Sequence, residues 1–226
     1  MHNVSDSHEE DKVGEQNYTP PLGTGDTQDY DRAIRIWTRE RRWRSALLQA
    51  TAPVAGETII DFGCGTGTFA VMLKTAQPDV RVIGIDPDEE ALTIARAKAE
   101  QAGVDVEWRR GFASDLAGDS ADAAVSSLVF HQMPVVEKAR AFAALLQVLR
   151  PRGRLLVADY GRQRGLMRLL FRATIQRLDG VADTQPNADG ILPDLISEAG
   201  FVDVREIDRV HTVTGTIMLL EAKRPA

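Results

Sequence analysis

Residues 59–68 read Ile59-Ile60-Asp61-Phe62-Gly63-Cys64-Gly65-Thr66-Gly67-Thr68, an apolar run that ends in an acid and breaks into glycines at alternate positions. Thr58–Phe62 is short and apolar enough for a buried strand. Gly63–Gly67 is a turn in which a backbone free of Cβ atoms can approach a ligand closely. Thr68–Gln77 continues as a helix. The glycine spacing is G-x-G-x-G, not the G-x-G-x-x-G of dinucleotide sites.

The same alternation continues outward. Val80–Asp86 reads as a strand, and Pro87 starts a helix to about Gln101 with Asp88, Glu89 and Glu90 in its first turn. Val104–Trp108 and Asp122–Leu128 are strands, Val135–Leu149 a helix and Arg154–Asp159 a fifth strand. Strands separated by helices predict βαβ units and a parallel sheet with helices on both faces. The pattern then changes to helices at Gly165–Leu178 and Ile191–Ala199, followed by strands at Phe201–Ile207 and Val210–Ala222. Two strands joined so closely pair antiparallel, and Gly215 marks a bulge or a close approach. The expected fold class is α/β, Rossmann-like and doubly wound, mostly parallel with an antiparallel C-terminal strand. Upstream, Asp29–Ala50 reads as a helix rich in arginine.

The chain has 226 residues, enough for one domain with an appendage. Residues 29–226 are expected to form that domain. Residues 1–28 hold six acids against Lys12 and few aliphatics, and read as a loose acidic tail. A single cysteine excludes a disulfide scaffold and a multi-cysteine zinc site, and the four histidines show no ligand spacing, so no metal is expected. A net charge of −6 argues against a nucleic-acid binder. No run of 18 apolar residues exists, and the N-terminus resembles neither a secretory signal nor a transit peptide, so a cytoplasmic location is expected.

Asp61 ends the first strand, and Asp86 ends the next, about twenty residues past the turn, where an acid can bind ribose hydroxyls. Two carboxylates at neighbouring strand ends repel a pyrophosphate. They attract a ligand bearing sulfonium and ammonium groups, by about 4 kcal/mol per pair near 4 Å at an effective dielectric of 20. S-adenosylmethionine is such a ligand, with S-adenosylhomocysteine as its product. Plainer roles stay open: Asp61 orienting the turn amides, Asp86 capping the following helix, Cys64 packing beside the ligand.

With these residues in view, the chain resembles class I S-adenosylmethionine-dependent methyltransferases of the small-molecule type, near the ubiquinone/menaquinone C-methyltransferases. The turn DFGCGTG, then VIGIDPDEEAL, WRRGFASDL, DAAVSSLVFHQM and LRPRGRLLVADY carry the resemblance. It implies a seven-stranded sheet of order 3-2-1-4-5-7-6. It implies that Gly63, Cys64, Gly65 and Gly67 line the methionine part of the cofactor, with Asp61 near its amino group, Asp86 on the ribose, Pro87 against adenine and Ser127 at the crevice. Tyr30, on the N-terminal lid helix (29–50), would meet the carboxylate end. The third motif usually reads Gly-Asp-Ala. Here it is Gly111-Phe112-Ala113, so Phe112 and Ala113 face adenine without the usual carboxylate, leaving packing, the Ala113 backbone, Ser114 or Asp115 to recognise it.

Displacement at a sulfonium needs a base only where the acceptor loses a proton. His131, after the fourth strand, is the candidate base, with Asp159 and Tyr160 behind it; a packed, capping histidine is the alternative. Residues 161–193 read as a lid or substrate insertion. Its broad apolar face admits a small apolar or aromatic acceptor, a peripheral membrane contact, a second subunit, or burial against the N-terminal helix. Besides methyl transfer at carbon or oxygen, the competing functions are a catalytically silent cofactor-binding partner and a nicotinamide-dependent oxidoreductase.

Overall fold

At the centre lies β1 (Thr58–Phe62), buried at every position as a central parallel strand must be. The computed structural model describes residues 40–226. The expected acidic tail, Tyr30 and the first part of the 29–50 helix lie outside the described residues. α1 (Glu40–Thr51) seats Trp43 and Leu47 against the sheet. After β1 come α2 (Thr68–Ala76), β2 (Arg81–Asp86), α3 (Glu89–Ala102) and β3 (Glu107–Arg110). β4 (Ala121–Ser127), α4 (Val135–Val148) and β5 (Leu149–Tyr160) follow. Four helices then intervene: α5 (Gly165–Ala173), α6 (Ile175–Leu178), α7 (Val181–Asp189) and α8 (Leu192–Glu198). β6 (Val202–Thr212) and β7 (Gly215–Lys223) close the chain.

The seven strands form one sheet of order β3-β2-β1-β4-β5-β7-β6, as the resemblance implied. β1, β2, β3, β4 and β5 pair in parallel, and β7 runs antiparallel to both β5 and β6. Two apolar layers flank the sheet. One gathers Trp43, Phe69, Leu73 and Phe171 over Ile59, Val125 and Leu156. The other gathers Phe130, Phe142, Leu145 and Ile196 over Ile60, Ala124 and Leu155. The strand order reverses between β1 and β4, so their C-terminal ends open a crevice where open α/β sheets bind ligands.

Several expected boundaries move. α3 starts at Glu89, not at Pro87, because the Asp88 carboxylate caps it, accepting from the Glu90 and Ala91 N–H groups at 2.8 and 3.3 Å. β3 starts at Glu107 rather than Val104, because Gly103 is left-handed and Val104 N–H still closes α3 on Ala99. The expected helix Gly165–Leu178 breaks at Thr174, whose hydroxyl bonds back to Leu170 O at 2.7 Å. α7 was not foreseen, since no element was assigned between Leu178 and Ile191; Gly190 in the left-handed region ends it. The last turn lies at Val213–Thr214, so β6 runs through Asp208-Arg209, which read as a turn. Gly215 is the expected close approach: a Cβ there would lie 3.0 Å from Gln163 Oε1 and 3.1 Å from the Phe171 ring.

Gly84 sits opposite Asp61 in the β1–β2 register, with the Trp108 ring beneath it. A Cβ at Gly84 would come within 2.5 Å of that ring and 3.1 Å of Cys64 Sγ. Gly84→Ala is expected to cost about 1–3 kcal/mol of stability, the usual penalty of overpacking a tight core. A urea midpoint that does not move would show that this layer can yield.

Candidate active site

The glycine turn is held from beneath and from the side. Gly63 and Cys64 N–H donate to Ile85 O at 2.9 and 3.1 Å, which fastens the turn to the end of β2. Gly63, Gly65 and Gly67 all take positive φ (65°, 50° and 75°), so the conformation itself requires glycine. A Cβ on Gly65 would point into open space, whereas one on Gly63 would strike Val129. The open side of Gly65 is the face a ligand can reach. Lys98 of α3, which sequence reasoning missed, ties down the turn hydroxyls, donating to Thr66 and Thr68 at 2.6 and 2.9 Å.

Asp61 lies on the sheet face beneath α1 and α2 and is 1% exposed. Neither of its carboxylate oxygens has a hydrogen-bond partner of good geometry among the described residues, although the Ala70 backbone N–H is close enough to favour its charge. Burial pushes its carboxyl up to about 7, against the opposing charge of Arg44. Arg44 itself is bound to Glu40 at 2.6 Å within α1. An unpaired buried carboxylate is costly, and a cation placed beside it offsets that cost. Ser126 Oγ, at the end of β4, is a second buried polar atom with no partner among the described residues.

Asp86 is satisfied differently. Its Oδ2 accepts from Gly65 N–H at 2.8 Å and its Oδ1 from Asp88 N–H at 2.9 Å. It joins the glycine turn to the start of α3 and does not cap that helix. Burial raises its carboxyl above the ordinary value, with the two N–H groups opposing. Pro87 follows directly. Gly111 N–H donates to Asp86 O at 3.1 Å, which brings the third motif to the same edge. There the Phe112 ring is 41% exposed and Ala113 buried. Asp115 Oδ2 accepts from Phe112 N–H at 2.7 Å, so this carboxylate holds its own loop. Cys64 is buried, and burial with the nearby Asp61 and Asp86 charges drives its thiol well above the usual range, which makes it a packing residue. Ser127 is half-buried at the end of β4, in register with Ala158.

His131 stands apart from the turn in a buried polar cluster. Its Nδ1 meets Asp159 Oδ1 at 2.9 Å and its Nε2 faces Asp179 Oδ2 at 3.4 Å. The ring packs edge-on against Tyr160. Burial disfavours its charge, but the two carboxylates outweigh burial and push the ring up to about 9. The same Asp159 accepts from Val129 and Phe130 N–H through Oδ2, at 3.0 and 2.7 Å, and so anchors the turn after β4. Asn187 of α7 donates to Tyr160 O at 3.2 Å. Fully buried Lys138 donates to Asp183 O at 2.7 Å. Burial lowers its ammonium to about 8, with Asp159 and Asp183 opposing. Asp179 and Asn187 were missed because both lie in the stretch read without helix, and nothing local in the sequence marks them. Among the described residues no cluster could hold a metal ion.

The paired acids, the cradle beside Gly65 and the orphaned Asp61 carboxylate fit a compact cationic ligand such as S-adenosylmethionine. Comparisons agree with that reading. Residues 59–153 match the methyltransferase domain family. A demethylmenaquinone methyltransferase of Thermus thermophilus is 35% identical over 140 residues, 61% of this chain and 63% of that protein. The ubiquinone/menaquinone biosynthesis C-methyltransferase of Rubrivivax gelatinosus is 30% identical over 185 residues, 73% of this chain and 70% of that protein. The chain spans about half the length of another curated relative it matches. A crystal structure of a methyltransferase from Thermotoga maritima superposes with a TM-score of 0.65, covering 87% of this chain and 95% of that one at 21% identity, a likeness of fold. The chain belongs to the class I S-adenosylmethionine-dependent methyltransferases.

Two measurements follow from the acids. Asp61 is raised from 3.8 to about 7 in the folded protein, so its protonated form is the one folding favours. Its contribution is therefore fully present below about pH 4 and is lost as pH rises through 7. The cofactor-free protein should lose stability across that window, and Asp61→Asn should flatten the slope in thermal melts. A cation needs the ionised carboxylate, so calorimetric affinity for S-adenosylmethionine should rise as pH passes through 7 in the wild type and stay level in Asp61→Asn. Separately, Asp86→Ala should weaken cofactor binding by about 1.5–3 kcal/mol, the scale of hydrogen bonds to a charged group; unchanged affinity would remove Asp86 from the site.

Proposed function

We propose that this chain transfers the methyl group of S-adenosylmethionine to a small apolar or aromatic acceptor, and that the acceptor is the ring carbon of a quinol. The observation that carries the first half is the buried Asp61 carboxylate without a partner, set beside a glycine cradle and Asp86. The second half leans on the relatives whose names place them in menaquinone and ubiquinone methylation. It also leans on the apolar and aromatic side chains around His131.

The cofactor would be held by Asp61, Asp86, Gly63, Gly65, Gly67 and Pro87, with Phe112, Ala113, Ser127 and Tyr30 as further contacts. When bound it supplies a methyl group on a sulfonium, whose displacement leaves a neutral thioether. What remains for the protein is to place the acceptor in line, exclude water and take up a proton. Carbon attack by a quinol is strengthened when its hydroxyl loses a proton. His131 is suited to receive it: Nδ1–H donates to Asp159, which fixes the ring and leaves Nε2 for exchange. Nε2 now faces Asp179 on the helical insertion 161–193. Asp159 first and Asp179 second favour the protonated ring at neutral pH, so withdrawal of Asp179 as the insertion shifts makes His131 a readier base. The insertion is then the lid of the acceptor site.

Incubation with methyl-labelled cofactor and a panel of reduced quinones and polyphenols tests the activity. Label should appear on ring carbon. Tight cofactor binding with no product across the panel would point to a silent binding protein. His131→Gln should lower kcat by about 10²–10⁴-fold with cofactor affinity unchanged, the usual worth of a positioned base. Because a base acts deprotonated, kcat should rise with pH, and Asp179→Asn should move that rise to lower pH. A flat profile in both would mean that no base is used.

A further inference from the structure

The helical insertion turns apolar side chains outward. Leu166 and Leu169 of α5 are 66% and 64% exposed, and Leu178 and Val181 are 58% and 57% exposed. α5 buries only Phe171. Leu166, Leu169 and Ala173 recur at i, i+3 and i+7 and so form one outward stripe. Arg168 and Arg172, both exposed and one turn apart, run alongside it. Residues 161–178 carry Arg162, Arg164, Arg168, Arg172 and Arg177 and no acid, in a chain whose net charge is −6. Arg168 meets Asp189 at 3.3 Å in an exposed pair. Arg164, Arg172 and Arg177 form no ion pair with any described residue.

We propose that this face docks the protein on an anionic lipid bilayer, with α5 lying in the headgroup plane, Leu166 and Leu169 inserted and the arginines on lipid phosphates. An apolar stripe flanked by arginines is the pattern of an interfacial helix. Among the described residues no helix is long and apolar enough to cross a membrane, so the contact is peripheral. The charge asymmetry orients it, because the arginine face is attracted and the acidic remainder repelled. Three other occupants fit less well. The N-terminal segment 29–39 offers apolar residues but sets Arg32, Arg35 and Arg39 against the same arginines. A second copy joined about a twofold axis would set the same arginines against each other. The acidic segment 1–28 complements the charge but offers only Val4, Val13 and Leu22 as aliphatic cover for the leucines. A short helix with two inserted leucines makes a reversible contact that leans on electrostatics, so the binding is salt-sensitive. The proposal stands independently of which acceptor is methylated.

The test is sedimentation of the full chain with vesicles of phosphatidylcholine alone or mixed with phosphatidylglycerol. The protein should partition onto the mixed vesicles at low salt and at least about tenfold less at high salt. The double variants Leu166→Ser with Leu169→Ser, and Arg168→Glu with Arg172→Glu, should each lose about tenfold or more of that binding. Their melting temperature and cofactor affinity should match the wild type, since all four side chains are exposed. Equal partition onto both vesicle types, or none onto either, overturns the proposal. So does light scattering that shows a dimer dissolved by the same substitutions without vesicle binding. Vesicle binding that appears only after the acids of residues 1–28 are replaced by amides would make that segment the occupant and also overturn it.

Discussion

A carboxylate with 1% exposure and no hydrogen-bond partner of good geometry among the described residues is costly to build into a protein, and the site is organised around it. Asp61 cannot turn toward solvent, because β1 is the central strand and α1 and α2 cover its face. It cannot borrow the turn amides either. Those of Gly63 and Cys64 are committed to Ile85 O, and that of Gly65 to Asp86. The cofactor-free protein accommodates the burial partly by raising the carboxyl to about 7, so a fraction of the molecules carry it neutral near physiological pH. A cationic ligand is the partner that lets it ionise. Selectivity against nucleotide phosphates comes from the same feature, since an anion would add repulsion to an already unsatisfied charge.

Asp159 plays the opposite part: every contact a carboxylate could ask for is supplied. Backbone N–H groups of Val129, Phe130 and Tyr160 and the ring of His131 converge on it. It locks the turn that leaves β4, and through His131 it reaches Asp179 on the insertion. One buried acid is thus left open for a ligand, and another is closed on the protein's own hinge. The first makes binding respond to charge. The second makes the position of the insertion, and the protonation of His131, parts of a single arrangement, since moving Asp179 changes both.

The sheet was legible because its signals are local. The glycine turn, the acids at the ends of β1 and β2 and the apolar runs of β4 and β5 each declare themselves over a handful of residues. What failed was decided at longer range or by competing local chemistry. Pro87 read as a helix start, but Asp88 was the better cap. Val104 has strand propensity, yet the left-handed Gly103 keeps it bonded to α3. Asp208-Arg209 read as a turn because both are polar, although an edge strand tolerates such residues on its exposed side. The insertion was least legible, because Thr174 breaks its first helix by bonding back to Leu170 O and its third helix tolerates Pro186 in its interior. The acids near the glycine turn could be named from spacing alone. Arg44, Asn187 and Asp179 could not, because they reach Asp61, Asp159 and His131 respectively only once the sheet has formed.

The insertion's composition also makes physical sense as a single piece. A segment that packed wholly on the core would need its polar residues outward and its leucines inward. Here Phe171, Ile175, Ala188 and Leu192 make the apolar attachment, Phe171 against Tyr160, with Gln163, Thr184 and Asn187 buried beside them, while Leu166, Leu169 and Leu178 remain outside. The same segment carries Asp179, which faces His131 Nε2 at 3.4 Å. On the proposed docking, a bilayer that engages the exposed face of this segment meets the element that also faces His131, while the glycine turn and its two acids sit at the ends of the sheet strands.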